Sequence, residues 1–499
     1  MPPRSNTAWS LFLGHAPAWY KRTIVVFLFV NPLLLLALGP ATTAWLILGE
    51  FIFTLAMALA CYPLQPGGLL ALEAVLLGLV DTDDVYREVV TGFPVILLLV
   101  FMVAGIYFLR DLLLYAFSRV LVRIRSTVLL NLTFCTAAAV LSAFLDALTV
   151  LAVVITVALG FYGVYHRVAS GKRVDADHDP ATDDDIVEYS RDDLDRFRAF
   201  LRGLMMNAAV GTTLGGVMTL VGEPQNLLVG KQAGWDFLRF VQVMLPVTLP
   251  VLVTGLCCCV AVNHRAWFGH GTALPDSVRI VLEDFVRSQD EGMTPALRHR
   301  ILAQALVALL LVAGLALHLA EVGLVGLTVI VLATALCGVT EEHQLGKAFE
   351  AALPFTALLV VFFAIVAVIH EQQLFHPVLH RVLALDGRAQ VVAMYLANGL
   401  LSSISDNVFV ATIYIEEIRH AFDAGLISRE QFDALAVAVN TGTNIPSVAT
   451  PNGQAAFLFL LTSAVAPLIR LSYARMLWMA LPYFVTMTVT GLAAIILFL

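Results

Sequence analysis

Along almost the whole chain, apolar runs of bilayer-crossing length alternate with short polar connections. Eleven runs have this character, near 23–38, 42–62, 64–80, 93–109, 203–230, 236–262, 301–318, 320–338, 352–369, 435–466 and 476–498. Two further stretches, 127–166 and 390–416, are equally apolar but carry an acid near the centre, Asp146 and Asp406. A charge at that depth costs about 3 kcal/mol on insertion scales, so it is either compensated or used. If each stretch is a re-entrant hairpin, entering and leaving on one side, the connections 110–126, 166–202, 263–300, 339–351 and 467–475 share a face. These hold most of the Lys and Arg, among them Arg110, Arg119, Arg123, Arg167, Lys172, Arg265, Arg298, Arg470 and Arg475. The positive-inside rule then predicts a cytoplasmic N-terminus and a periplasmic C-terminus.

The two acid-bearing stretches also match each other. "SAFLDALTVLAVVI" (142–155) aligns with "SSISDNVFVATIYI" (402–415), placing Ser142, Asp146 and Val150 on Ser402, Asp406 and Val410. A hydrophilic loop follows each, and then a span interrupted by Gly, Thr and Pro: "GTTLGGVMTLVGEPQNLL" first, "NTGTNIPSVATPNGQAAF" second. One hairpin opens inward and the other outward, so the halves are predicted to be inverted copies, an organisation typical of secondary transporters. The fold expected is thus an all-α polytopic membrane protein with two re-entrant hairpins and two broken helices. Its predicted divisions are 1–126 (interfacial segment and first scaffold helices), 127–262 (hairpin 127–166, acidic loop 167–202, broken helix 203–230), 263–389 (connecting loop and further scaffold helices) and 390–499 (hairpin 390–416, broken helix 435–466, last helix).

Composition agrees: 60% of the 499 residues are hydrophobic and only 13% charged, against about a quarter charged in soluble domains. The formal charge of −8 comes largely from the loop "DADHDPATDDDIVEYSRDDLD", read as a solvated cytoplasmic connection. Six cysteines sit in apolar segments with no Cys-x-x-Cys pair, which points to packing rather than metal or disulfide chemistry. The N-terminal stretch lacks the long apolar core of a cleaved signal peptide, and its Trp9, Trp19, Lys21 and Arg22 suit the membrane interface. No nucleophile–base constellation and no nucleic-acid signature appear, so neither an enzyme nor a nucleic-acid partner is expected.

Pro224 and Pro451 remove backbone donors, and neighbouring glycines loosen the helices, which frees carbonyls and amides at membrane depth. Such breaks are tolerated where they line a cavity. A carboxylate among hydroxyl and carbonyl oxygens suits a small hard cation such as Na+, and the same carboxylate binds H+ instead. Competition of the two for one site suffices for exchange, provided the empty site does not cross. The ion-binding residues expected are Asp146, Asp406, Thr149, Ser402, Ser405, Asn407, Asn226, Thr450 and Asn452, with Glu223, Thr443 and Asn444 lining the cavity. Asp146, in the drier setting, is the better proton acceptor. No cofactor is expected beyond the transported ions.

At these residues the chain resembles the NhaB family of bacterial sodium/proton antiporters. The likeness is carried by "LSAFLDALTVLAVVI", "GGVMTLVGEPQNLL", "LLSSISDNVFVATIYI" and "NTGTNIPSVATPNGQAAFLFLLTSAVAPLIRLSY", and extends over nearly the whole sequence. The resemblance implies electrogenic export of Na+, and of Li+, against protons across the bacterial inner membrane. It also implies that Asp146 and Asp406 are the family's embedded acids. More distantly, the paired hairpins are similar to those of the ion transporter superfamily, which implies a dimerising scaffold and a transport domain moving as an elevator. Rival readings are a Na+-coupled symporter of a small anion such as a carboxylate, which would call for positive groups that the motifs lack, and a passive channel.

Overall fold

The computed structural model describes residues 8–57, 60–145, 147–172, 179–180, 182–317, 319–374, 377, 381–382, 384–404 and 407–499. Asp146, Ser405 and Asp406 therefore lie outside the described residues, as does the side chain of Thr149. Among the described residues every regular element is a helix, as the hydropathy pattern predicts. Among the described residues six helices are long and apolar enough to cross a membrane, or seven if Val100–Tyr107 and Arg110–Arg123, bent by 67°, are one span. The other apolar runs form shorter helices, including Pro40–Ala56, Leu64–Leu76 and Thr127–Ser142.

Local sequence explains where helices stop. Gly39, at φ 82°, donates its N–H to the Leu35 carbonyl and ends Ala18–Leu38, and Pro40 then opens the next helix at a position needing no donor. Three helices, Thr82–Thr91, Arg110–Arg123 and Asp276–Glu291, fall in the polar connections between the apolar runs. Their charges interleave with apolar residues, so the summed hydropathy that marks a span is missing although the helical spacing is present.

The chain forms two compact units. The first comprises residues 1–96 and 352–384. In it, Asn31 is fully buried, and its Nδ2 donates to Glu50 Oε2 and to Glu73 Oε2, both at 2.8 Å. One amide thus joins three helices, Ala18–Leu38, Pro40–Ala56 and Leu64–Leu76, and gives two embedded acids a shared donor. Lys21, also buried, donates from Nζ to the carbonyls of Gly14 (2.7 Å), Trp9 (3.3 Å) and Ser10 (3.4 Å), so its charge serves the chain end that sequence assigned to the interface.

The second unit comprises residues 97–351 and 385–499. The stretch 127–166 becomes Thr127–Ser142 and Ala147–Ala169, and 390–416 becomes Gly387–Ile404 and Asn407–Asp423. The first interrupted span becomes Arg191–Gly216, a non-helical link and Pro224–Ala233. The second becomes Arg429–Asn444, a 3-10 turn Pro446–Ala449, a non-helical link that turns at 451–453, and Ala455–Thr462. Helix Arg191–Gly216 is buried at every position from 203 to 216, which explains its run of small residues.

The acidic loop is more than a solvated connection. Asp183 accepts from Arg198 Nη2 at 2.6 Å and from Arg470 Nη2 at 2.9 Å, and His166 Nε2 lies 3.3 Å away. Arg198 also donates from Nη2 to the Tyr162 hydroxyl (2.6 Å) and from Nε to the Leu468 carbonyl (2.9 Å), while Arg202 reaches the Ile469 carbonyl (2.6 Å). The Arg198 hydrogen bond is the main reason that the Asp183 carboxyl is held down, at about 2. A carboxyl depressed in the folded state stabilises fully above its unfolded value, ~3.9, and loses that contribution as pH falls through the folded value. Asp183→Asn is therefore expected to lower the apparent unfolding temperature at pH 7, with the gap to wild type closing between pH 4 and about 2. The effect is on the order of 1 kcal/mol, because the side chain is 37% exposed and water screens the pairs. Thermal scans of the detergent-purified protein across pH measure it, and equal midpoints at pH 7 would refute the clasp's contribution.

Candidate ion-binding site

The two breaks are held by corresponding main-chain contacts. Gly211 faces the Cys135 carbonyl, and Gly442 faces the Tyr395 carbonyl, where an added Cβ would lie 2.7 Å from the oxygen. A Cβ on Gly222 would lie 2.8 Å from the Ser142 carbonyl, and one on Gly453 2.6 Å from the Ser402 carbonyl. The Thr219 hydroxyl donates to the Ala143 carbonyl, and the Thr450 hydroxyl donates to the Ser403 carbonyl. Cys135 to Tyr395, Ser142 to Ser402 and Ala143 to Ser403 are each steps of 260 residues. Gly211 to Gly442, Thr219 to Thr450 and Gly222 to Gly453 are each steps of 231. Three independent contacts thus keep one register, the one in which Asp146 falls on Asp406.

Within this frame the polar residues expected from sequence are brought to the breaks. Asn226, fully buried, donates from Nδ2 to the carbonyls of Gly216 (2.7 Å) and Thr219 (2.6 Å), which closes the first break. Ser402, also fully buried, donates to the Thr443 carbonyl at 2.6 Å. The Thr443 hydroxyl returns to Val439 O (2.9 Å) in its own helix, so it serves the helix more than a cavity. Asn444 accepts through its carbonyl (2.9 Å) and its Oδ1 (3.2 Å) from Gln454 Nε2. Asn452 is 7% exposed, and its Oδ1 has no hydrogen-bond partner among the described residues.

Glu223 and Asn407 join the two halves. Asn407, first residue of Asn407–Asp423, donates from Nδ2 to Glu223 Oε2 at 3.0 Å, and Gln225 Nε2 donates to the same oxygen. Glu223 is 4% exposed and stands immediately before helix Pro224–Ala233, whose N-terminal end favours a negative side chain. Asn407 follows Asp406 directly, so this bond fixes the residue next to the acid. Several further buried oxygens have no hydrogen-bond partner among the described residues: Ser142 Oγ, Thr213 Oγ1, Gln225 Oε1 and Asn226 Oδ1. Oxygen donors of this kind suit a small hard cation, and buried polar groups without protein partners call for water or an ion. No group of three or more His, Cys, Asp or Glu side chains able to hold a metal occurs among the described residues.

Gln225, Ser447 and Gln454 are absent from the sequence-derived list, although all three lie inside the two quoted motifs. Ser447 accepts from Gln454 at 2.8 Å, which completes the clamp across the second break. Extending the 231-residue step over the whole motif would have singled out Gln454, because it falls on Glu223.

Comparison with known families decides the assignment. The family described as "Bacterial Na+/H+ antiporter B (NhaB)" matches residues 3–499. The chain belongs to the NhaB family. Among NhaB relatives, the Na(+)/H(+) antiporter NhaB of Hahella chejuensis is 60% identical over 489 residues, covering 98% of each chain. Those of Marinobacter nauticus (61% over 482 residues, 96% of each chain) and Pseudomonas aeruginosa (62% over 485 residues, 97% of each) are similarly close. NhaB membership agrees with the multi-pass helical architecture above.

Proposed function

We propose that this protein is a membrane Na+/H+ antiporter. The observation that carries the reading is full-length membership of a family described by that activity, at about 60% identity to relatives named for it. The site supports it: two breaks in one register, each adjoining a hairpin with an acid at the corresponding place, lined by neutral oxygens. Nothing favours the anion symporter, and the described polar side chains at the two breaks include no Lys or Arg.

In the cycle proposed, Asp146 and Asp406 bind Na+ or H+, assisted by Thr149, Ser402, Ser405, Asn407, Asn226, Thr450 and Asn452. Inward-facing protein takes up Na+, releases it outside in exchange for protons, and returns protonated. Exchange is electrogenic and extends to Li+, in the inner membrane of a bacterium, with the N-terminus cytoplasmic and the C-terminus periplasmic. The corresponding contacts of the two halves support an inverted repeat with re-entrant hairpins. A homodimer with a fixed scaffold and an elevator-like transport domain belongs to the same proposal.

The test uses purified protein in sealed proteoliposomes with a trapped pH dye and the voltage clamped. An inward Na+ gradient is expected to drive proton efflux. Na+ uptake without proton movement would overturn the reading in favour of symport, and labelled carboxylates would then be tried.

A further inference from the structure

The register that relates the two breaks places Glu223 on Gln454, and here the halves differ in charge. In the second half the neutral Gln454 is a clamp: its Nε2 binds the Asn444 carbonyl, Asn444 Oδ1 and Ser447 Oγ, tying together the two sides of the break. In the first half this duty has passed to Asn226, which closes its break through Gly216 O and Thr219 O. The residue 231 positions after Asn226 is Phe457, so that clamp has no counterpart. Gly216 stands where the second half has Ser447, and a Cβ there would lie 2.9 Å from Glu223 Cγ and Oε1. The first half therefore lacks the hydroxyl that position 454 binds and has room for a carboxylate. The main-chain bonds that close the first break are made by Asn226, not by Glu223. Glu223 accepts instead from Asn407, 184 residues away and next to Asp406.

We infer that Glu223 is a positioning residue for ion exchange: a buried carboxylate that holds Asn407 beside Asp406 and adds a negative charge that raises cation affinity there. The inference rests on the antiport reading of the preceding section. The groups around Glu223 fit a charge that acts on the ion. The described side chains bonded to it, Gln225 and Asn407, are neutral. On the helices packed against Pro224–Ala233, the basic residues Arg419 and Arg429 reach the carbonyls of Gln232 and Ala233, at the opposite end from Glu223. Lys231 lies at that same far end, as do Glu416, Glu417, His420, Asp423, Glu430 and Asp433 by their place in the sequence. Asp146 and Asp406 are the remaining acids of the two hairpins and lie outside the described residues.

The experiment compares wild type, Glu223→Gln and Glu223→Asp in proteoliposomes, alongside Na+-dependent thermal protection in detergent. Glu223→Gln keeps size and hydrogen-bonding capacity and removes charge. It is expected to raise the apparent KM for Na+ roughly tenfold or more with a smaller fall in maximal rate. Its pH profile should move to the acid side, since protons also compete less well at a site that has lost a negative charge. Na+ protection against heat should need correspondingly more Na+, and Glu223→Asp should recover a substantial part of each change. A Glu223→Gln protein with wild-type KM and pH profile overturns the inference. So does loss of folded protein, or of activity, in both variants, because the position is then structural. An inactive wild type would instead overturn the antiport reading itself, so the two failures are distinguishable.

Discussion

Asp406→Asn, reconstituted in sealed vesicles, is expected to move no more protons against a Na+ gradient than vesicles without protein, and Asp146→Asn the same. Each acid interrupts an apolar stretch, and such a group at membrane depth is retained where it serves transport. The two acids also correspond in the same register as three main-chain contacts that hold the breaks. Asparagine keeps the shape but neither binds a proton near neutral pH nor offers a full negative charge to Na+. Abolished exchange with normal membrane levels and unchanged chromatographic behaviour supports a direct role for both acids. Substantial electrogenic exchange in either variant would remove that acid from the site.

Gly215→Val is expected to abolish accumulation of folded protein in the membrane. Gly215 lies against the main chain of Ala139, so a side chain at 215 would collide with the Ala139 carbonyl rather than with a flexible side chain. Overpacking a core typically costs about 1–3 kcal/mol, and a clash between two helix backbones exceeds that because neither can turn aside. The penalty is a large share of the ~5–15 kcal/mol that holds a typical domain together. Quantifying a fluorescent fusion by size-exclusion chromatography measures the outcome, with Gly203→Ala as control, since a Cβ at Gly203 meets nothing within 4 Å. A monodisperse Gly215→Val protein at wild-type level would contradict the close packing of Arg191–Gly216 against Thr127–Ser142.

Much of this organisation is legible in the sequence because it depends on local composition. Apolar length marks the spans, Pro224 and Pro451 mark the breaks, and the repeated Ser-x-x-x-Asp pattern gives the register in the hairpins. The amphipathic helices Arg110–Arg123 and Asp276–Glu291 were hidden, since alternating charge and apolar residues cancel in any average of hydropathy. Partners far apart in sequence were hidden for another reason. Nothing near Glu223 announces that its acceptor oxygen meets Asn407, and nothing in the acidic loop announces that Asp183 meets Arg470, because packing of distant helices decides both. The same holds for Asn31, which reads as one polar residue in an apolar run until its two glutamate partners arrive from other helices.

The Arg198 clasp bears on how the chain is made. Its hydrogen bond to Leu468 spans 270 residues, and that of Arg202 to Ile469 spans 267. At roughly 5–20 residues per second of synthesis, Arg198 is in place some tens of seconds before its carbonyl partner exists. Tyr162 and Asp183, by contrast, are made before it. The bonds to Leu468 and Ile469 are therefore among the last that the growing chain can form. A chain that stops short of residue 468 lacks both carbonyl partners of Arg198 and Arg202, so the clasp is closed by residues near the far end of the sequence rather than by its own neighbourhood.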